Sequence, residues 1–293
     1  MVPPLTPGQS EPVRDAADTA AADAAAWTDR ALCDPHGRAD KARRVRAMFA
    51  AIAPSYDLNN RLHALGLDQT WRRRAVRMAA LEPGEVVLDV ACGTGDLALA
   101  FASAGAGRVL GADFTVPMLE LAGDKAARWR WRWQGRNGAA GRAKEKAQAE
   151  GAAPLPPCHW LASDAMALPL ADASVDVVSI AFGIRNVADP RRALAEFHRV
   201  LRPGGRLVIL EFAMPTSPPL RWLYQVYFQY VLPRSATLIA NDRSGAYRYL
   251  PRSVDTFLQP QELRSLMAAV GFESVTSEHW TMGIVACHRG DKG

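Results

Sequence analysis

The stretch Val86-Val87-Leu88-Asp89-Val90-Ala91-Cys92-Gly93-Thr94-Gly95-Asp96 decides the fold of this chain. Its apolar, β-branched beginning predicts a buried strand, and the residues that follow it have the composition of a helix. Between the two, Gly93 and Gly95 allow a tight turn in which the backbone can come close to a ligand. A strand, a glycine turn and a helix in this order are typical of the sheet edge where nucleotide-like cofactors bind in open α/β folds.

A second predicted strand, 108–112, ends at Asp113, eighteen residues after Gly95. An acid at that distance is placed to accept hydrogen bonds from both hydroxyls of an adenosine ribose. The alternative is that Asp113 caps a helix that begins near Val116. Because the third glycine of the dinucleotide fingerprint is missing, the loop alone is weak evidence. Taken together, the loop and the acid favour a nucleotide-like cofactor.

The 293 residues suffice for one large domain or two small ones. Four scattered cysteines, without a CxxC pair or a histidine at ligand spacing, favour a reducing compartment and argue against a metal site. The sequence shows no secretory signal, and no window of about 18 uninterrupted apolar residues that could span a membrane. We therefore expect a cytoplasmic protein, with no metal ion and no transmembrane segment.

Three regions differ from the rest in composition. Residues 1–40 hold seven acids against three bases and few large apolar residues, which predicts a disordered N-terminal tail. Residues 41–80 hold nine basic residues against two acids, so their predicted helices present either a solvated face or a surface that anionic lipid attracts. Residues 127–157 begin with alternating Trp and Arg, which could stack on bases or anchor at a lipid interface, but we favour a surface insertion.

The remaining sequence alternates between strand and helix patterns. A helix is predicted to begin at Asp189-Pro190, where Asp189 can serve as N-cap, and to end before Pro203. Such alternation indicates a parallel sheet with helices on both faces, whose strands open on one common edge. Further strands are predicted at 158–162, 175–182 and 207–212, a helix at 261–270, and a final antiparallel hairpin from 272–279 and 282–288.

Residues 89–96 resemble the glycine-rich motif of class I S-adenosylmethionine-dependent methyltransferases. Further motifs narrow the resemblance: Ala167-Leu168-Pro169-Leu170, Phe182-Gly183-Ile184-Arg185-Asn186, Arg199-Val200-Leu201-Arg202-Pro203-Gly204-Gly205, residues 241–250, and Gly283-Ile284-Val285-Ala286-Cys287-His288-Arg289-Gly290. With these motifs the chain resembles the ubiquinone/menaquinone C-methyltransferase family over roughly residues 43 to 290. The resemblance implies a Rossmann-like class I methyltransferase domain over 41–290, with a mostly parallel seven-stranded sheet, an antiparallel C-terminal hairpin and helices on both faces.

The resemblance implies S-adenosylmethionine as the cofactor, with Asp164 and Ala165 beside its adenine. The alternative for Asp164 is a loop acid that caps a turn. The family often has serine where this chain has Ala181, so one polar contact is either missing or supplied by the backbone. The residues expected to contact the cofactor are Gly93, Thr94, Gly95, Asp113, Asp164, Ala165 and Ala181.

The chemistry implied by the resemblance is attack of a quinol ring carbon on the methyl group. Arg185 and Asn186 leave the fourth strand at the cofactor edge and are the expected catalytic residues. Family-level mechanisms make this arginine a base, in a network with Asn186 and Asp113. Because an arginine pKa lies above about 12, we expect Arg185 to stabilise the phenolate while a water takes the proton. The alternative is a structural arginine that pairs with Asp189.

Residues 215–250 are expected to form a lid on the substrate side. The predicted helix over 219–233 is apolar nearly all round, so it must be buried or face lipid. It then either provides an apolar wall for a polyprenyl tail or serves as ordinary core or a dimer contact. The expected substrate-pocket residues are Tyr224, Phe228, Asn241, Tyr247 and Tyr249.

The resemblance therefore predicts methylation of a polyprenyl quinol at the inner face of the membrane, with demethylmenaquinol as the first choice. The sequence does not decide between a naphthoquinol and a benzoquinol ring, and it leaves a homodimer or a complex with other quinone-biosynthesis enzymes open. One alternative is a methyltransferase for another small apolar or phenolic substrate. A nicotinamide-dependent oxidoreductase lacks a convincing catalytic set. A nucleic-acid methyltransferase lacks an Asn-Pro-Pro-Tyr tetrad after the fourth strand, so no nucleic acid partner is expected.

Overall fold

The computed structural model describes residues 26–138, 158–215, 217–232, 234 and 244–293. Seven strands in these residues form one sheet in the order β3-β2-β1-β4-β5-β7-β6. Strands β1 to β5 are parallel to one another, whereas β7 is antiparallel to both β5 and β6. This confirms the predicted fold class. The strands are β1 (Val86–Val90), β2 (Arg108–Asp113), β3 (Cys158–Ala162), β4 (Val175–Ala181), β5 (Leu201–Phe212), β6 (Glu273–Trp280) and β7 (Val285–Asp291).

The central strand β1 lies between β2 and β4, so that Val87 pairs with Val109 on one side and with Val177 on the other. A strand with neighbours on both edges and helices on both faces has no solvent-facing side, which explains its nearly continuous apolar sequence. The strand order reverses at β1, since the chain runs to β2 and β3 on one side and to β4 on the other. The crevice at the carboxyl ends of β1 and β4 is therefore the topological switch point, where ligands bind in such sheets.

Helices cover both faces of the sheet. The predicted cap of the helix after β4 is present, because the Asp189 carboxylate accepts a hydrogen bond from the Arg192 backbone N–H at 3.1 Å. None of the helices in the described ranges is long and apolar enough to cross a bilayer. The helices are α1 (Asp29–Leu32), α2 (Lys41–Ile52), α3 (Tyr56–His63), α4 (Leu67–Met78), α5 (Asp96–Ser103), α6 (Val116–Gly138), α7 (Pro190–Val200), α8 (Pro218–Val226, continued by a π-helical turn over Tyr227–Val231), α9 (Ala246–Asp255) and α10 (Pro260–Val270).

The core has a layer on each face of the sheet and a third cluster over its carboxyl edge. On one face α7 and α10 bury Phe197 and Met267, and on the other α4 and α5 bury Trp71 and Phe101. The third cluster joins α2, α8 and α9 above the switch point. Burial of each large apolar side chain contributes about 1.5–3 kcal/mol to the stability of the fold, so these layers stabilise the scaffold that carries the loops at the carboxyl edge.

The structure differs from the predicted disordered tail over residues 26–40. The Trp27 side chain is only 1% exposed, and its ring stacks on Tyr249 with the ring centroids 4.3 Å apart. The Trp27 backbone N–H also donates to the Ser244 carbonyl at 2.9 Å. Composition alone suggested too little apolar surface, but one tryptophan with a partner far along the chain orders this segment. Residues 1–25 lie outside the described part of the chain.

Two further boundaries differ from the prediction. The expected insertion over 127–157 begins as a continuation of α6 up to Gly138, with Trp129 packed against the α4 and α5 layer, and its residues 139–157 lie outside the described ranges. Strand β5 begins at Leu201 rather than at 207, because Leu201 already pairs with Val175 before an irregularity in the ladder.

Candidate active site

The loop between β1 and α5 depends on its two glycines for different reasons. Gly93 and Gly95 both have positive φ angles, +54° and +83°. A Cβ atom on Gly95 would also lie 2.6 Å from the Trp160 ring, so this position admits no larger residue without movement of the ring. The resulting turn aims the Gly93 backbone N–H at the Asp113 carboxylate, 2.9 Å away.

Asp113 lies at the carboxyl end of β2 and is buried. One carboxylate oxygen accepts from the Gly93 N–H and the other from the Thr115 N–H at 2.8 Å. Burial raises the pKa of Asp113, although these backbone hydrogen bonds oppose the shift. Each carboxylate oxygen has a second lone pair. Asp113 can therefore be held by the protein and still accept hydrogen bonds from two neighbouring ligand hydroxyls.

A groove follows the carboxyl ends of β1, β2 and β4. It combines the buried acid Asp113 with apolar walls from Phe114, Met118 and Met166, which suits a ribose next to a flat purine. The groove thus fits an adenosyl group. The predicted cofactor residues that line it are Gly93, Asp113, Asp164, Ala165 and Ala181.

Asp164 is exposed on the rim of this groove, and its side chain accepts from the Met166 backbone N–H at 2.8 Å. It therefore also caps its own turn, as the alternative interpretation expected. Ala181 presents no polar side-chain atom to the groove, so a polar contact from this strand end has to come from the backbone.

The other two predicted cofactor residues do not line the groove. The Thr94 hydroxyl donates to Asp57 at 2.6 Å and accepts from the Lys125 ammonium at 2.9 Å. Lys125 also forms ion pairs with Asp57 at 2.5 Å and with Asp96 at 2.6 Å. This cluster ties α3, α5 and α6 together around the glycine loop. The Thr94 side chain thus supports the loop, and Gly95 provides its shape.

Arg185 lies in the turn after β4, and its guanidinium is buried. It forms an ion pair with Glu211 at 2.5 Å, and the same nitrogen donates to the Phe182 carbonyl at 2.7 Å. The guanidinium carbon lies 5.4 Å from the centroid of the Phe212 ring. The partner of Arg185 is therefore Glu211 at the end of β5 rather than Asp189. The Arg185 Nε–H also donates to the Ser253 hydroxyl at 3.4 Å, so four contacts fix the orientation of this cation.

Asn186 lines the cofactor groove beside Arg185. Its amide nitrogen donates to the Phe182 carbonyl at 3.2 Å, and its amide oxygen accepts from the Tyr249 hydroxyl at 3.0 Å. The turn is held from outside by Lys41, whose ammonium donates to the Arg185 carbonyl at 2.9 Å. Burial and the nearby Arg185 charge lower the pKa of Lys41 to about 8.

An apolar cavity of about 510 Å³ lies next to the groove. Phe49, Tyr56 and Phe182 line both spaces, so the groove and the cavity share a wall. Arg185 lines the cavity. The predicted pocket residues Tyr224, Phe228, Tyr247 and Tyr249 line it as well, together with Met48, Ile52, Trp71, Phe212, Leu223 and Tyr227, whereas Asn241 lies outside the described residues.

Several residues of this site escaped sequence reasoning. Glu211 stands as an acid in an otherwise apolar strand, a signal that could have identified it. Asp68 is one of two acids in the basic block 41–80, and it lines the cavity together with Arg72. The basic block was interpreted as a surface, but α3 and α4 place part of it on the inner side of the cavity.

Comparisons with known proteins agree with this geometry. The model of the ubiE/COQ5 methyltransferase family matches residues 38–132 and 139–292. A demethylmenaquinone methyltransferase of Thermus thermophilus is 46% identical over 246 residues, which cover 84% of this chain and 100% of the relative. A ubiquinone/menaquinone biosynthesis C-methyltransferase UbiE of Geobacter sulfurreducens is 41% identical over 256 residues, 87% of this chain and 90% of the relative. The crystal structure of a SAM-dependent methyltransferase from Thermotoga maritima has the same fold, with a TM-score of 0.54 at 20% identity, covering 85% of this chain and 100% of that one.

Proposed function

Since this chain belongs to the ubiE/COQ5 methyltransferase family, we propose that it methylates a ring carbon of a polyprenyl quinol in menaquinone or ubiquinone biosynthesis. It is an S-adenosylmethionine-dependent methyltransferase. Demethylmenaquinol is the substrate that we propose, and the name of the Thermus thermophilus relative supports this choice. The observation that carries the proposal is the shared wall of Phe49, Tyr56 and Phe182 between the adenosyl-shaped groove and the apolar cavity.

The residues of the groove would hold the cofactor, which supplies an electrophilic methyl group when bound. Asp113 accepts hydrogen bonds from the ribose hydroxyls through its remaining lone pairs. Phe114, Met118 and Ala165 line the groove and would supply apolar contacts to the adenine. Arg185 faces the neighbouring cavity.

Arg185 stabilises the phenolate that forms when the quinol loses a proton. Glu211 and the Phe182 carbonyl hold the guanidinium in place before substrate arrives, so little reorganisation is needed when negative charge develops. Asn186 is oriented by Tyr249 and closes the groove beside it. A fixed cation in an apolar cavity acts strongly on charge, because water does not screen it.

The cavity opens through a rim of exposed apolar side chains. Leu65, Leu67 and Leu223 line the cavity and are 86%, 40% and 58% exposed. Contiguous exposed apolar surface marks an interaction site, and Trp and Tyr are favoured at lipid interfaces. We propose that this rim rests on the membrane surface, so that a polyprenyl tail can enter from the lipid. Other exposed apolar side chains are Leu58 and Leu62 on α3, and Trp222, Tyr230 and Val231 on α8 and its π-helical continuation.

The catalytic proposal is tested by turnover with two acceptors. The purified chain is incubated with S-adenosylmethionine and either reduced demethylmenaquinol or a demethylated benzoquinol, each with a short tail, and the products are identified by mass spectrometry. Methylation of the naphthoquinol on its ring carbon is expected. Methylation of the benzoquinol alone would overturn the choice of ring. Binding of S-adenosylmethionine without methylation of either quinol would overturn the quinol assignment.

The membrane proposal is tested by sedimentation with vesicles of phosphatidylethanolamine and phosphatidylglycerol. Replacing Trp222 and Leu223 by serine is expected to weaken vesicle binding at least tenfold. Leu258→Ser is the matched control, since Leu258 is an exposed apolar side chain outside the cavity lining. Equal binding by all variants would contradict the proposal. The homodimer or enzyme complex expected from the sequence stays a prediction.

A further inference from the structure

We propose that Asp68 is the catalytic residue that accepts the proton from the quinol hydroxyl next to the methylated carbon. This inference rests on the proposed quinol substrate. It goes beyond it by assigning the base to a carboxylate of this chain, where the sequence suggested a water. Asp68 has one carboxylate oxygen without a partner, it lines the cavity, and no other described cavity residue suits proton acceptance as well.

The Asp68 carboxylate is held by one oxygen only. The side chain lies on α4 and is about 4% exposed. One oxygen accepts from Arg72 at 2.7 Å and from the Gln69 amide at 3.0 Å. The other oxygen is buried and has no hydrogen-bond partner. A buried acceptor without a partner destabilises the protein, and a ligand hydroxyl that donates to it would remove this cost.

The position of Asp68 is at the cofactor end of the cavity. Asp68 and Arg72 both line the cavity, as does Arg185. The Arg72 guanidinium carbon lies 5.6 Å from the centroid of the Phe182 ring. Since Phe182 belongs to the wall shared with the groove, the Asp68–Arg72 pair lies beside the place where the methyl group has to cross. Arg72 donates to one carboxylate oxygen and leaves the other free for a substrate hydroxyl.

Other groups near the cavity suit proton acceptance less well. Arg185 cannot give up its proton at ordinary pH. Glu211 does not line the cavity, and both of its oxygens accept hydrogen bonds, one from the Arg185 guanidinium and the Phe212 N–H and the other from the Arg185 backbone N–H at 3.4 Å. Burial raises the pKa values of Tyr224 and Tyr249, so both phenols stay protonated.

His63 is the one rival acceptor among the described residues of the cavity wall. Its Nε2 atom is buried without a partner, and its Nδ1 lies 3.2 Å from the Tyr227 hydroxyl. Burial lowers the pKa of His63, so the ring is neutral. However, the hydrogen-bond partner of His63 is Tyr227, on the α8 side of the cavity. Asp68 instead pairs with Arg72, whose guanidinium lies over the Phe182 ring. We therefore assign the proton to Asp68 and use His63 as the comparison in the test.

The proposed methyl transfer conserves atoms and charge. The hydroxyl proton moves to the free oxygen of Asp68, and the phenolate charge faces Arg185. The ring carbon uses a π electron pair to form the bond to the methyl group, while the carbon–sulfur bond breaks and its pair stays on sulfur. The ring carbon then loses its hydrogen as a proton to solvent, and Asp68 returns its proton to the ring oxygen. One proton is released per methyl group transferred.

The charged and titratable groups that surround Asp68 come from several elements. Arg72 lies on the same helix as Asp68. The Gln69 amide donates to the Asp68 and Asp96 carboxylates, each at 3.0 Å, and so links these two acids. The others that line the same cavity are Tyr56, His63, Arg185, Tyr224, Tyr227, Tyr247 and Tyr249.

The test uses Asp68→Asn, Asp68→His, the comparison variant His63→Gln and the control Asp172→Asn in the full chain. We expect Asp68→Asn to lower kcat at least about 100-fold, the usual contribution of general acid–base catalysis, with the Kd of S-adenosylmethionine changed less than twofold. Asp68→His is expected to recover part of kcat. In the pH profile of kcat, the acid limb of this variant should lie about two pH units higher than that of the parent, because an imidazole is protonated at higher pH than a carboxylate. His63→Gln removes the rival acceptor of the cavity wall and is expected to lower kcat less than Asp68→Asn does. Asp172→Asn, at an exposed acid outside the cavity lining, is the control that should keep kcat within about threefold of the parent.

The inference is overturned if Asp68→Asn keeps its kcat, or if His63→Gln loses as much turnover as Asp68→Asn. It is also overturned if the acid limb of Asp68→His stays where the parent enzyme has it, and this readout is sufficient by itself should Asp68→Asn fail to fold. Failure of the parent enzyme to methylate either quinol is a separate result, because it refutes the proposed function before any variant is compared.

Discussion

The ion pair between Arg185 and Glu211 predicts that Glu211→Gln is one of the most damaging conservative substitutions in the chain. The Glu211 carboxylate is buried and accepts from the Arg185 guanidinium at 2.5 Å and from the Phe212 N–H at 2.9 Å. Glutamine keeps the shape but leaves the guanidinium charge without compensation. Removing one partner of a buried pair costs about 3–5 kcal/mol of unfolding free energy.

The assay is urea unfolding of Glu211→Gln beside a matched control, Asp172→Asn. Asp172 also pairs with an arginine, Arg199, at 2.7 Å, but its side chain is 78% exposed. Exposed pairs contribute about 0–1 kcal/mol, so the control should lose little stability. A loss in Glu211→Gln no larger than that of the control would refute the reasoning about burial.

A second variant separates stability from catalysis. Replacing the pair together, as Arg185→Met with Glu211→Leu, removes both charges and should restore most of the unfolding free energy. If Arg185 stabilises the phenolate, turnover should still fall about 100- to 1000-fold, the cost of losing one preorganised donor to a developing anion. Full stability with full turnover would show that the pair has no catalytic role.

Three further predictions concern the cofactor groove and the core. Asp113→Asn should raise the Kd of S-adenosylmethionine about tenfold by calorimetry, because one acceptor oxygen becomes a donor; an unchanged Kd would remove Asp113 from the cofactor site. Gly95→Ala should lower the unfolding free energy by at least about 1–3 kcal/mol more than Gly204→Ala, since both have positive φ but only Gly95 would press a Cβ on Trp160; equal losses would contradict the packing argument. Burial lowers the pKa of His288 to about 4, so stability that is complete above the unfolded-state pKa near 6.5 should fall by about 3 kcal/mol toward pH 4, and His288→Gln should lose this slope in unfolding measured against pH.

The part of the site that lies on strand ends could be predicted from sequence. Each parallel strand carries its next loop to the same edge, so the glycine turn, Asp113, Asp164 and the Arg185-Asn186 pair had to lie close together. The helices and their N-caps could also be predicted from the sequence, since Asp189 is the predicted N-cap of α7 and the structure confirms it. These inferences needed only local patterns and the topology of a parallel sheet.

The rest depends on contacts between distant parts of the chain, which local patterns do not contain. The partner of Arg185 is 26 residues away on another strand, whereas Asp189 was the nearest acid in sequence. Trp27 orders its segment only because Tyr249 lies beside it in the fold. Asp68 looks like a helix surface residue until α4 is packed against the cavity.

Phe182 explains why the two halves of the site depend on each other. Its φ angle is +56°, an unfavourable conformation for an aromatic residue that costs of order 1–3 kcal/mol. In this conformation its carbonyl accepts from both Arg185 and Asn186, while its ring forms the wall between the groove and the cavity. The Phe182 N–H donates to the Leu210 carbonyl at 2.7 Å, which ties the strained residue to β5. The same strand supplies Glu211, so β5 holds this short turn through the Phe182 backbone and through the buried ion pair with Arg185. We therefore expect a substitution that shifts the Phe182 ring to affect both the groove and the cavity.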